Sequence, residues 1–261
     1  MRKLVIENNG FTLIELLISM VTGLAVLAGI YAAYNSQQKI HVKEQQVVDV
    51  QQNVRGAAHF MVRELRLAGM DETGNAGAGF IDAGPHSIQF TMDRNDDEDV
   101  FDADEDIAYG FAAAADVDAN GFADSGAAAL IRSAAGSDEI ADDIHAIGFA
   151  YAYDDDEDGE LDFVDGDGDG LLDAGEEIWA YDSDADGNLD WNNDTGALLP
   201  FTVDYDRIRA VRIWILARTG NPLRGHSGTK SFTVGDKVVN VNDKFQYRLL
   251  TTTVKCRNMG L

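Results

Sequence analysis

The chain has 261 residues, enough for one long helix and one sizeable globular domain. Its formal net charge is −26, and residues 93–190 hold 33 acidic side chains against two basic ones, Arg94 and Arg132. That middle region repels nucleic acid, so no nucleic-acid partner is expected, and one cysteine, Cys256, excludes an intramolecular disulfide.

The first element is an apolar run. Residues 10–34 read GFTLIELLISMVTGLAVLAGIYAAY, with one charge, Glu15, and none from Leu16 to Tyr34. At about 1.5 Å per residue this is close to the hydrocarbon thickness of a bilayer. Arg2 and Lys3 precede it and predict a cytoplasmic leader (residues 1–10), with the rest facing outward across an inner membrane. The small residue Gly10 comes before the apolar core, where a secretory signal would place its cleavage site after it. Cutting after Gly10 leaves Phe11 as the new N-terminus and Glu15 as the fifth residue. A carboxylate in lipid needs a partner, and the Phe11 α-amino group is the natural one, either about a turn away in the same helix or on a staggered neighbouring subunit. A plain signal anchor is the simpler alternative.

GFTLIELLISMV resembles the processing and methylation motif of type IV prepilins. The resemblance implies a prepilin peptidase that cuts between Gly10 and Phe11 and N-methylates Phe11, and a role for Glu15 in assembly with other pilins.

Helical character continues to about residue 68. Ile40, Val47, Val54, Met61 and Ala68 recur every seven residues, and Val50, Ala57, Ala58 and Leu65 fill the same face. The long helix is expected over 11–68, about 85 Å from residue 12 to 68, with 11–34 transmembrane and 35–68 amphipathic. A Gly/Ala-rich loop follows. Strands are predicted at 87–92, 107–111, 144–153, 208–218, 230–234, 237–241 and 246–257, with 112–137 irregular. The fold class is α+β: a long N-terminal helix on an antiparallel sheet, the head spanning residues 69–261. QQNVRGAAHFMVRELRLAGM, IHAIGFAYAYDDDEDG, IRAVRIWILAR and RLLTTTVKCRN together make the chain similar to PilW-type minor pilins.

Residues 154–194 read as stacked calcium loops. In DGDGDGLLDAGE, Asp165, Asp167, Asp169 and Asp173 take positions 1, 3, 5 and 9 of a twelve-residue loop. Glu176 takes position 12, Gly170 the sharp turn, and Leu171 offers its carbonyl. Alternate residues of a tight loop aim their carboxylates at one centre, which suits a hard cation that takes six to eight oxygens. Asp154, Asp156, Asp158, Glu160 (carbonyl) and Asp162 repeat the pattern. So do Asp182, Asp184, Asp186, Asn188 (carbonyl) and Asp190, with Asn193 at position 12. Asp116, Asp118, Asn120, Gly121 and Asp124 are a poorer candidate, and Asp93, Asn95 and Asp97 lack the glycine. The plainer reading is an acidic solvated linker. Three loops in about 40 residues favour calcium, with affinity of about 0.1–1 mM as in extracellular modules.

The five histidines are scattered and no Cys-x-x-Cys exists, so zinc is not expected. No nucleophile elbow or phosphate loop is present, and no enzyme is expected. Trp179, Trp191 and Trp214 read as packing residues, Cys256 as a small buried strand residue. The leading function is a minor pilin in the initiating, tip-proximal part of a type IV pilus. The alternatives are a J-like minor pseudopilin of type II secretion and a calcium-dependent tip adhesin.

Overall fold

The computed structural model describes residues 11–164, 175–223, 225 and 227–260. The chain divides into two compact units, Met1–Gln46 and Val47–Leu261. Helix α1 runs from Leu13 to Leu65, 53 residues. In the first unit its large apolar side chains are exposed, from Phe11 and Leu13 to Tyr34 and Ile40. Among the described residues it is the one helix long and apolar enough to cross a membrane.

In the second unit α1 is amphipathic, and Val50, Val54, Ala57, Ala58, Met61 and Leu65 are buried. Of the seven-residue repeat, Val54, Met61 and Ala68 are buried, Val47 is half-buried and Ile40 is exposed. The helix stops earlier than residue 68. Leu67 and Ala68 donate to the carbonyls of Glu64 and Leu65, bonds that span three residues and tighten the last turn.

The head is an antiparallel sheet of ten strands, followed in chain order by β1 (Phe80–Asp82), β2 (Ile88–Thr91), β3 (Asp106–Phe111), β4 (Ala128–Ser133), β5 (Ser137–Tyr153), β6 (Ala180–Tyr181), β7 (Asn188–Asn192), β8 (Ala197–Asp204), β9 (Ile208–Arg218) and, after a separate hairpin, β12 (Tyr247–Lys255). The pairing path runs from β1 to β8, and β9 lies between β5 and β12. The hairpin is β10 (Thr229–Val234) and β11 (Lys237–Asn242).

β9 is covered on both faces, which is why IRAVRIWILAR is nearly all apolar rather than cleanly alternating. Val211, Ile213 and Ile215 join the core under α1, with Ile147, Phe149 and Tyr151 of β5. Ala210, Trp214 and Leu216 face the other way, onto a second cluster roofed by Val234, Val239 and Val241 of the hairpin.

Two expectations are corrected here. The segment expected to be irregular contains β4, which bridges β3 and β5. Its Ala-rich sequence carries little strand signal, and only Leu130 and Arg132 point into the interior. Strands 230–234 and 237–241 do not extend the main sheet. A two-residue Gly235–Asp236 turn lets them pair locally, and their valines cover the sheet's second face.

A buried ionic cluster ties α1 to the sheet. Glu64 on the helix accepts from Arg132 Nε at 3.0 and 3.2 Å and from the Tyr109 hydroxyl. Arg132 also reaches Asp104 at 2.8 Å. Burial, then the Glu64 carboxylate, pushes the Tyr109 hydroxyl well above its ordinary range.

Candidate functional site

At the start of α1, Thr12 and Glu15 form a reciprocal cap. The Glu15 carboxylate accepts from the Thr12 N–H at 2.9 Å and its hydroxyl at 2.8 Å, while the Glu15 N–H donates to the Thr12 hydroxyl at 3.3 Å. This is a capping box, Thr-x-x-Glu, whose spacing is legible in the sequence. Phe11 is exposed, and Gly10 lies outside the described residues.

Four acidic loops share one backbone plan, beginning at Asp93, Asp116, Asp154 and Asp182. All four aspartates are buried. Each accepts the N–H five residues on: Glu98 at 3.2 Å, Gly121 at 2.8 Å, Gly159 at 3.2 Å and Gly187 at 2.9 Å. That residue has positive φ in every loop, as does the one three places after the aspartate: Asp96, Ala119, Glu157 and Ala185. The side chain at the loop's fifth position then accepts the N–H two further on. Asp97, Asn120, Asp158 and Asp186 do this at 3.3, 2.8, 2.8 and 3.0 Å. A last acid fastens the loop by accepting from its second residue: Glu105 from Arg94 at 2.9 Å, Asp124 from Val117 at 3.0 Å, Asp162 from Asp155 at 2.8 Å and Asp190 from Ser183 at 2.8 Å.

The plan gathers carboxylates. Ligand oxygens of Asp154, Asp156 and Asp158 lie within 4.8 Å of one another, and so do those of Asp182, Asp184 and Asp186. Two oxygens bound to one calcium at about 2.3–2.6 Å can stand no more than about 5 Å apart, so both sets fit one such ion. Asp154 and Asp182 are the scaffold of their loops. Asp154 lies 3.8 Å from the buried Arg209 guanidinium. At Asp182 burial opposes ionisation, but the Tyr205 hydroxyl at 2.6 Å and the loop N–H groups outweigh it and hold the carboxyl below its ordinary range. Asp184 is pushed up, first by desolvation and then by Asp186, Asp190 and Asp182. Asp162 is raised by burial and by its acidic neighbours.

A third set, Asp97, Asp99 and Glu105, also lies within 4.8 Å. Asp99 and Glu105 were not singled out from the sequence. The missing glycine had argued against this loop, yet Glu98 takes the glycine's place with φ of 71°. Its signal was the Asp-x-Asn-x-Asp-x-Asp spacing without the usual turn residue.

Of the best-matching sequence loop, Asp165, Asp167, Asp169, Leu171 and Asp173 lie outside the described residues. The chain on either side is joined: Val164 N–H donates to the Glu176 carbonyl at 2.9 Å, Ile178 N–H to the Asp162 carbonyl at 3.0 Å, and Phe163 bridges to Glu177. Glu160 and Asn188 turn their N–H groups onto Asp158 and Asp186, and Asn188 and Asp190 already belong to β7. Among the described residues neither the 154 loop nor the 182 loop is helix-flanked; β5 leads into the first and β6 into the second.

Trp191 is half-buried against the core under α1, and Cys256 lies just past the end of β12 rather than in it. Trp179 and Trp214 are buried against the second cluster, with the Arg212 guanidinium 3.9 Å from the Trp179 ring. Cys256 is buried, and that burial pushes its thiol up to about 12.

A long apolar N-terminal helix whose outer half packs on an antiparallel sheet defines the pilin class of subunits. The family model for type IV pilus-assembly protein W matches residues 123–258, and that for the prokaryotic N-terminal methylation motif matches residues 7–31. The chain therefore belongs to the type IV pilus-assembly protein W family. Neither a curated protein nor a solved structure matches it. The family match runs from just before β4 to just beyond β12, so the 93 loop and most of the 116 loop lie outside it.

Proposed function

We propose that this protein is a minor pilin of the initiating, tip-proximal part of a type IV pilus, with a head stiffened by calcium. It is a structural subunit and not an enzyme. Prepilin peptidase cuts between Gly10 and Phe11 and methylates Phe11. Before assembly α1 sits in the inner membrane with the head outside; afterwards it packs among other pilins and minor pilins in the pilus. Glu15 neutralises the Phe11 amine of a neighbouring subunit.

The observation that carries the calcium reading is the shared loop plan. In the 154 and 182 loops a buried first aspartate fixes the backbone and leaves two exposed carboxylates converging beside it. Three like charges this close repel, and a divalent cation among them turns that repulsion into attraction. Asp154, Asp156, Asp158 and Asp162 hold one ion, with the Glu160 carbonyl. Asp182, Asp184, Asp186 and Asp190 hold another, with the Asn188 carbonyl. Asp165, Asp167, Asp169, Leu171, Asp173 and Glu176 form a third site by sequence pattern. A head built around several ion sites suits a rare, terminal subunit better than a repeated one.

Two experiments test this. Calorimetry on the full chain in neutral detergent should give calcium heat that magnesium does not reproduce; no calcium heat refutes the metal reading. A deletion strain should lose piliation. Normal pili with lost attachment would make the protein an adhesin instead.

A further inference from the structure

β12 is an edge of the main sheet: it pairs with β9 and, among the described residues, with no other strand. Hydrogen bonds at its two ends show which peptide groups are free. The Gln246 carbonyl accepts from Thr219 N–H, and Cys256 N–H donates to the Arg209 carbonyl. Even-numbered residues thus face β9, and in an antiparallel ladder the odd-numbered ones turn their N–H and C=O groups the other way. Thr251, Thr253 and Lys255 therefore offer backbone donors and acceptors at the open edge, and all three are exposed. Natural edges are usually guarded by proline, a bulge or central charges. β12 is nine residues long, has no proline, and is uncharged from Leu249 to Val254.

The charge along this edge is mostly positive, and the acid nearest its start, Asp243, accepts from the Tyr247 hydroxyl at 2.7 Å. Residues 51–68 and 247–260 contain a single acid, Glu64, which is buried against Arg132. Arg55 on α1, Arg66 just past its end, Lys255 at the end of β12 and Arg257 two residues on are exposed, and none makes an ion pair among the described residues. One hollow along the strand is lined by Gln51, Arg55, Arg248 and Thr251, another by Arg66, Thr253, Lys255 and Arg257. The Arg248 Nε is buried there without a hydrogen-bond partner. This is a concentrated positive edge on a chain of net charge −26.

We propose that the free edge of β12 binds an extended acidic segment of another protein subunit as an added strand. Its backbone pairs with Thr251, Thr253 and Lys255, and its carboxylates meet the flanking arginines and lysine. A polypeptide is favoured over nucleic acid on two grounds. Free peptide groups in strand register are matched by another peptide, and the acidic loops repel a long polyanion. The inference is independent of calcium and of tip position, since it rests on the edge alone.

The test uses the full chain in neutral detergent and a fluorescent eight-residue peptide of alternating Thr and Glu. The expected result is binding that weakens at least tenfold in Thr253→Pro, which removes an outward N–H that β9 does not use. Lys255→Glu combined with Arg257→Glu should weaken it as much. No binding, or equal binding of an alternating Thr/Lys peptide, overturns the proposal. So does an oligodeoxynucleotide that binds as tightly and ignores Thr253→Pro. Should Thr253→Pro lower the melting temperature, amide exchange on the unmodified chain decides. Thr251, Thr253 and Lys255 N–H groups become protected on peptide addition if the strand docks, and unchanged exchange overturns it.

Discussion

Glu64→Ala probes the charge that, among the described residues, joins the outer half of α1 to the head by an ion pair. The Glu64 and Arg132 side chains are only 9% and 8% exposed, and the carboxylate also holds the Tyr109 hydroxyl. Removing it leaves the guanidinium buried with Asp104 alone, at 2.8 Å and half exposed. Breaking a buried pair from one side costs about 3–5 kcal/mol, and the surviving Asp104 contact argues for the lower end, about 3 kcal/mol. For a head of this size each kcal/mol moves the melting temperature by about 2–4 °C, so the expected fall is about 6–12 °C. Thermal unfolding of the full chain in detergent, followed by circular dichroism, measures it. Replacing the set with apolar groups of similar volume, Glu64→Leu with Arg132→Met and Tyr109→Phe, should recover most of the loss. A fall under about 2 °C for Glu64→Ala, or a triple variant no better than the single one, refutes the reasoning.

Three further outcomes are expected. Glu15→Gln keeps a side chain able to cap Thr12 but removes the charge, so helix content and membrane insertion should persist while incorporation into pili falls; normal incorporation would rule out pairing with the Phe11 amine. Calcium at about tenfold its dissociation constant should stabilise the head by about 1.4 kcal/mol per site, and Asp184→Asn with Asp186→Asn should abolish one site's share without unfolding the loop, as read by melting against calcium concentration. Burial, then the nearby Lys237, holds His86 down at about 4 from its ordinary 6.5. The unfolded chain then binds more protons between those values, so this contribution to stability is complete above pH 6.5 and is lost as pH falls toward 4. His86→Gln should flatten that part of the stability–pH curve; an unchanged slope would assign it to other groups.

The acidic loops show how far local sequence reaches. Asp at positions 1, 3 and 5 with glycine at 6 announced the 154 and 182 loops, because those ligands and that turn come from adjacent residues. The 93 loop was harder to read. Its turn position is Glu98, and its last carboxylate, Glu105, sits just before β3 rather than at the usual spacing. Whether a non-glycine residue holds positive φ depends on what fixes it, here the buried carboxylate of Asp93 accepting its N–H.

The sequence by itself determined the membrane-length helix, the lone Glu15 at its start and the β-rich character of the head. Each depends on the order of neighbouring residues and on one solvent boundary. Only the tertiary structure decided which strands share a sheet. It set the 230–241 hairpin over the second face, inserted β4 between β3 and β5, and left β12 at the open edge. It also brought Glu64 to Arg132 across 68 positions of chain. Such contacts arise from where apolar faces meet, a long-range outcome that no local pattern encodes.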